Sequence, residues 1–289
     1  MRRENDKNRG PHNYFLYFCS LKIMPIMKKV FLMLAVAATV LCGCNKDKDK
    51  LSDKLIGKWM QTEIDGWPAL TNEKTVITFV SDTKAILSAS RADFTQTESK
   101  WNAYLECDVQ IDDNIVTVTG QIGEDRSIVF KYIVTSITKD ELSCHFKATL
   151  HTNGDAFNYP EDDVILKRVT VDYKNDVVGT WEGRITSQEG SEFDDGELHR
   201  WEYKTNGTYA YYRQTEEGQW VDDVNAFSEY FVDGNLLCTR WMNNGEGQLE
   251  NREWWEIASI QNGVMNWTAL REHEDGTTYT ATFSMTKVN

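Results

Sequence analysis

From about residue 51 to the C-terminus, apolar and polar residues alternate with a period of two over short runs, the pattern of half-buried strands. In the first half of that region Thr75 to Val80, Val109 to Ile111, Asn114 to Thr119, Ser127 to Ile137, Glu141 to Leu150 and Asp163 to Val169 read as strands. Turn residues separate them. Asn153-Gly154 and Asp275-Gly276 are the strongest hairpin signals, since a tight turn matched to strand twist needs positive φ at its two central positions. Asp112-Asp113-Asn114 and Val232-Asp233-Gly234-Asn235 supply a second turn. Long helical periodicity is missing. The pattern therefore predicts antiparallel meanders, and a meander of this length closes best as a barrel, which leaves no bare edge.

The pattern also occurs twice. Leu55 to Trp59 reads LIGKW and Val177 to Trp181 reads VVGTW, and further landmarks follow in the same order at offsets of 119 to 123 residues. Asp113-Asn114-Ile115 corresponds to Gly234-Asn235-Leu236, Tyr132 to Ile137 to Trp255 to Ile260, His151 to Gly154 to His273 to Gly276, and Leu166 to Val169 to Met285 to Val288. Tandem duplication follows, with units over 51–170 and 171–289 and a boundary near Val171 to Asp176. A length of 289 residues suits two domains.

The first 44 residues carry a different pattern. Met27-Lys28-Lys29 is basic, Val30 to Val40 is apolar apart from one Thr, and Leu41-Cys42-Gly43-Cys44 closes the run. This order resembles a bacterial lipoprotein signal, which implies cleavage before Cys44 and lipid on that cysteine. The apolar run is too short to span a bilayer core, which takes about 20 residues. Residues 1–26 have no place in such a signal, so initiation at Met24 or Met27 is expected. The resemblance implies a membrane partner through the Cys44 lipid and an envelope location on the outer membrane, at its periplasmic face or the cell surface. Residues 45–50, NKDKDK, then form a charged, solvated tether.

A Gly-x-Trp at the start of each unit, a meander after it and a basic residue on the last strand resemble the lipocalin or calycin group, particularly the compact lipocalin-like domains of bacterial lipoproteins. The resemblance implies an all-β fold of two tandem antiparallel meander barrels. It also implies that Trp59 is covered by Arg168 and Trp181 by Lys287, a structural pair that closes one barrel end. Parity agrees, because Leu166 and Arg168, like Met285 and Lys287, sit two apart and share a strand face. The family's Thr-Asp-Tyr turn and C-terminal helix are missing here, and a shorter barrel can be filled by its own side chains.

Charge narrows the partners. The chain carries a net charge of −14, and seven of the 31 Lys and Arg but only two of the 45 Asp and Glu precede Asn45, so the remainder is more acidic still. Such a surface repels phosphate backbones, which excludes nucleic acid as a partner. Cys107, Cys144 and Cys238 form no close pair and are expected as buried free thiols, with a Cys107–Cys144 bridge as the alternative in an oxidising envelope.

The second unit is rich in aromatic residues, holding seven of the ten tryptophans. Adjacent strand residues face opposite ways, so Trp254 and Trp255 cannot both be core. Trp255 aligns with Tyr132 and Trp254 with Lys131, which predicts that Trp254 faces solvent. An exposed indole beside carboxylates and amides suits a sugar ring; cover for a neighbouring strand or for the other unit is the more common role of such a residue. Trp220, Tyr211 and Trp241 join Trp254 as candidate ligand contacts, against a default of core packing. The remaining chemistry is sparse. His145, His151, His199 and His273 have no metal-binding spacing, and Glu192-Phe193-Asp194-Asp195-Gly196-Glu197 lacks the carboxylate spacing of a calcium loop. No nucleophile elbow or phosphate loop is present. The expectation is a lipid-anchored, non-catalytic envelope protein without cofactor, binding a small apolar molecule in a barrel or a glycan on the second unit. The alternative is a structural lipoprotein with filled barrels that meets an envelope protein.

Overall fold

The computed structural model describes residues 50–89, 104–188, 198–222, 225–244 and 250–288. The signal region, Cys44 and most of the 45–50 tether lie outside them, as do residues 192–197. The described chain is almost wholly antiparallel sheet.

The first sheet comprises β1 (Gly57–Ile64), β2 (Trp67–Pro68), β3 (Thr75–Phe79), β4 (Lys84–Ala89), β5 (Leu105–Asp112), β6 (Ile115–Gly123), β7 (Arg126–Ile137), β8 (Glu141–Thr152), β9 (Asp155–Asn158) and β10 (Asp162–Arg168). Each long strand pairs with its sequence neighbour, and β10 pairs with both β8 and β1, so eight strands close an up-and-down barrel. β2 and β9 are hairpin additions at its margin. The Asn153-Gly154 turn has φ of 51° and 88°, as a two-residue hairpin requires. The barrel is filled by aliphatic and aromatic side chains, among them Ile77, Leu87, Val116, Leu142 and Leu166. Cys107 and Cys144 are free and buried in this interior, and burial pushes both thiols up to about 12.

The second sheet comprises β11 (Gly179–Gln188), β12 (His199–Tyr203), β13 (Tyr209–Gln214), β14 (Trp220–Asp222), β15 (Asn225–Asp233), β16 (Leu236–Asn243), β17 (Glu250–Gln261), β18 (Val264–Glu272) and β19 (Thr278–Val288). Its order is β14-β13-β12-β11-β19-β18-β17-β16-β15. The sheet curls until its two margins approach, and among the described residues they meet at a bridge from Thr208 to Glu229, at the Tyr230 N–H on the Gly207 carbonyl, 2.8 Å, and at the Tyr230 hydroxyl, which donates to the Lys204 carbonyl at 2.7 Å. The second unit is thus a curled half-barrel where the first is a closed ring. The Asp275-Gly276 hairpin differs from its expected form: only Gly276 has positive φ, because the Asp275 carboxylate accepts from the Thr277 N–H and Oγ1 and holds a wider loop. Tight two-residue turns of this unit are Gly234-Asn235, between the paired Asp233 and Leu236, and Asn262-Gly263, between the paired Gln261 and Val264.

The Gly-x-Trp stretches do the same job in both sheets. The Trp59 indole N–H donates to the Leu55 carbonyl and that of Trp181 to the Val177 carbonyl, both at 2.7 Å, and both rings are buried. Trp59 is registered opposite Arg168 and Trp181 opposite Lys287 on the last strand of each sheet. The Arg168 guanidinium lies 4.1 Å from the Trp59 ring centre and donates to the carbonyls of Lys54, Ile56 and Lys139, while the Lys287 ammonium lies 5.1 Å from the Trp181 ring and donates to the Val178 carbonyl. The glycines are required twice over. Gly57 and Gly179 sit at φ of 123° and 131°, and a Cβ would meet the Arg168 guanidinium at 2.4 Å or the Lys287 Cε at 2.7 Å.

A third apolar cluster joins the two sheets. Met60 and Val76 of the first pack with Phe231, Leu236 and Cys238 on the outer face of β15 and β16, and Val169 and Trp254 complete the contact. Lys58 pairs with Asp233 and, at 2.9 Å, with Asp172. Gly234 lies so close to the first sheet that a Cβ would fall 2.6 Å from a Val169 methyl.

Two predictions follow from this packing. Gly57→Ala and Gly179→Ala should each destabilise the protein by about 1–3 kcal/mol, the cost of forcing a side chain into that backbone region, measured by urea unfolding. Burial alone would lower the Lys58 pKa, but its pairs with Asp233 and Asp172 outweigh this and raise it above 10.5. A raised lysine contributes fully below the unfolded value and loses that contribution as pH climbs through the folded one. Stability should therefore show an alkaline decline above pH 10.5 that Lys58→Met removes, read from thermal unfolding as a function of pH.

Candidate functional site

The second sheet keeps a cavity of about 580 Å³ at the end away from Trp181. Strand alternation explains its walls. Counting outward from the buried layer of Met265, Trp267, Trp255 and Phe283, the next inward residues are Ala269 and Arg271 on β18, Glu253 on β17, Ala281 and Tyr279 on β19, and Ile185 on β11. β12 and β13 bring His199, Trp201, Tyr209 and Tyr211, and β16 brings Thr239 and Trp241. The small Ala281 leaves space that the rings around it do not fill.

The aromatic floor is a connected cluster. Trp201 makes edge contacts with Trp267 and Phe283 at 5.2 and 5.1 Å between centres, and tilts against Tyr211 at 5.1 Å. His199 Nδ1 lies 2.7 Å from the Tyr211 hydroxyl, so the two hold each other's orientation. Higher on the wall, the Arg271 guanidinium covers the Trp255 ring at 4.4 Å and donates to Glu253 at 3.0 Å. Arg252 pairs with Glu250 at 2.6 Å. The cavity therefore has broad indole and phenol faces at its base and compensated charge near its mouth.

The wall is completed by the other sheet. Pairing of β17 with β18 runs from Gln261–Val264 to Glu256–Thr268 and stops there. Toward the mouth, Glu250 to Trp255 continue on β16 and Ala269 to Glu272 on β19, so the two strands part. The short 3-10 turn Thr71–Glu73 of the first sheet occupies this split. The Leu270 N–H donates to the buried Thr71 Oγ1 at 2.8 Å, and Lys74 pairs with Glu256 at 2.6 Å. Leu70, Thr71 and Asn72 consequently line the cavity.

Of the four residues expected as ligand contacts, Tyr211, Trp241 and Trp254 reach this cavity. Two expectations need correction. Trp254 does not face open solvent: it is half-buried against the cluster that joins the sheets, because the outer face of β17 is the docking face. Trp220 lies apart from the cavity, with the Arg200 guanidinium stacked 4.0 Å from its ring and Arg200 held in turn by Glu182. Glu253 and Arg271 escaped sequence reading although alternation from Trp255 and Trp267 places both on the inner face. Asn72 left no signal in the sequence, since only the docking of the sheets brings it to the site. Among the described residues no group of three or more His, Cys, Asp or Glu could hold a metal ion. His273 stacks on Tyr279 at 4.3 Å.

The fold defines a class: an all-β protein with one closed eight-stranded barrel followed by one curled half-barrel sheet. No protein-family model and no curated relative matches the chain. Among solved structures it is similar to a single-site mutant of the vaccine antigen Transferrin Binding Protein B from Haemophilus parasuis Hp5, with 8% identity over 75% of this chain and a TM-score of 0.23. The match spans 61% of that protein's length, and a likeness this slight carries no argument about function.

Because Trp254 packs between the sheets, Trp254→Ala should lower stability by about 1–3 kcal/mol, below the 3–5 typical of a fully buried tryptophan, as a fall in melting temperature.

Proposed function

We propose that the protein is a non-catalytic binding protein of the bacterial envelope, anchored through lipid on Cys44, whose second sheet holds one small ligand in its cup. The observation that carries the reading is the contrast between the two interiors. The first barrel is filled by aliphatic and aromatic side chains, whereas the second leaves about 580 Å³ beneath a partly polar mouth. That volume falls within the range of about 300–1,000 Å³ common to small-molecule sites. Binding is the function we assign, because among the described residues the cup offers aromatic faces and paired charges rather than a nucleophile beside a base. The first barrel serves as scaffold, holding its 3-10 turn against the cup.

The competing reading is a structural lipoprotein whose surface meets an envelope protein, and one titration separates the two. Phenylnaphthylamine, an apolar dye excited by tryptophan emission, should bind the full chain saturably at one per molecule. Ala281→Phe, which fills the cup from β19, should remove that component while the circular dichroism of the sheets is retained. A purely linear dye response, the same in both proteins, would sink the ligand-binding reading and favour the structural one.

A further inference from the structure

We propose that the occupant of the cup is a neutral saccharide and that Asn72, delivered by the first sheet through the split between β17 and β18, is one of its polar contacts. The proposal rests on the cup being a ligand site. Three observations carry it further.

The walls combine two chemistries at close quarters. Trp201, Tyr211 and Trp241 offer flat aromatic surface, and Glu253, Arg271 and Asn72 place a carboxylate, a guanidinium and an amide beside it. Sugar rings present C–H faces and hydroxyls on one small body, so they suit both at once.

Charge argues against an apolar and against an anionic ligand. Arg271 and Glu253 are paired across the split at 3.0 Å, and Arg252 is paired with Glu250. A wholly apolar occupant would strip water from these groups and return no hydrogen bonds, which is costly. Hydroxyls donate to a carboxylate and accept from a guanidinium, replacing that water in kind. An anionic ligand would approach against the net charge of −14.

The third observation is the placement of Asn72. Its neighbour Thr71 is buried and anchored by the Leu270 N–H, so the turn is held in register with the rim. Asn72 itself is only half-buried and lines the cavity. An amide both donates and accepts, and here it stands on the wall opposite no covalent neighbour of the second sheet but on a separate unit of the repeat. Recognition is then shared between the sheets, and the second sheet alone holds an incomplete cup.

The test uses the full chain in mild detergent and calorimetric titration with short neutral gluco-, xylo-, manno- and chito-oligosaccharides. At least one series should bind at one per chain and displace phenylnaphthylamine. Asn72→Ala should weaken that binding about five- to tenfold, the scale of one lost hydrogen bond, while phenylnaphthylamine still binds at one per chain; Asn72→Ser, which keeps a hydroxyl, should recover part of it. Oligosaccharides that fail where the dye and fatty acids bind would overturn the saccharide and leave the cup standing. Failure of every probe would overturn both. Saccharide binding indifferent to Asn72→Ala would overturn the shared recognition.

Discussion

One end of each sheet is closed by one contact between its first and last long strands, the buried tryptophan under a basic side chain. The indole N–H takes a carbonyl four residues upstream, which folds the entering chain across the end of the sheet. The cation from the last strand then lies on the exposed ring face and satisfies further carbonyls of that entering segment. An indole buried without such a partner would leave a donor unpaired, and carbonyls at a strand entrance would otherwise need water. The same constraint fixes polarity: with one end plugged, any cavity must lie at the other, where the second sheet has it.

Identical closure has produced two different interiors. In the first barrel branched aliphatic side chains interdigitate around the ring and leave the space occupied. In the second, Trp201 meets Trp267 and Phe283 edge to face and Trp255 tilts against Trp267, and rigid planar rings in such contacts span distance without filling corners. The alanine at 281 widens the gap. The ring is also less strictly closed, with a single bridge at its seam and a split between β17 and β18. The two sheets thus share their end closure and differ in what they enclose.

The split links the two sheets. A parted pair of strands leaves N–H groups that must find other acceptors, and the Leu270 N–H finds the Thr71 hydroxyl of the first sheet. Around that point the Lys58 and Lys74 ion pairs and the Met60, Val76, Phe231 and Leu236 cluster fix the two sheets together. The outer face of β16 and β17 is therefore an internal interface, which is why Trp254 is covered. Its alignment with Lys131 identified the outward strand face correctly and could say nothing about what lies over that face.

The sequence by itself determined the all-β class, most strand positions and the residues registered opposite the two closing tryptophans. Those features depend on short-range periods and on turn residues, whose physics is local to the chain. It also held the inner-face parity that places Glu253 and Arg271 in the cup, legible once Trp255 and Trp267 are taken as inward. Only the tertiary structure decided that the second ring stays open at its seam, that β17 and β18 part, and that Thr71 and Asn72 enter between them. These outcomes depend on how two separately folded surfaces meet, some 200 residues apart in the chain, as with Thr71 and Leu270. Alternation along a strand tells inside from outside, and it carries no information about which outside becomes buried.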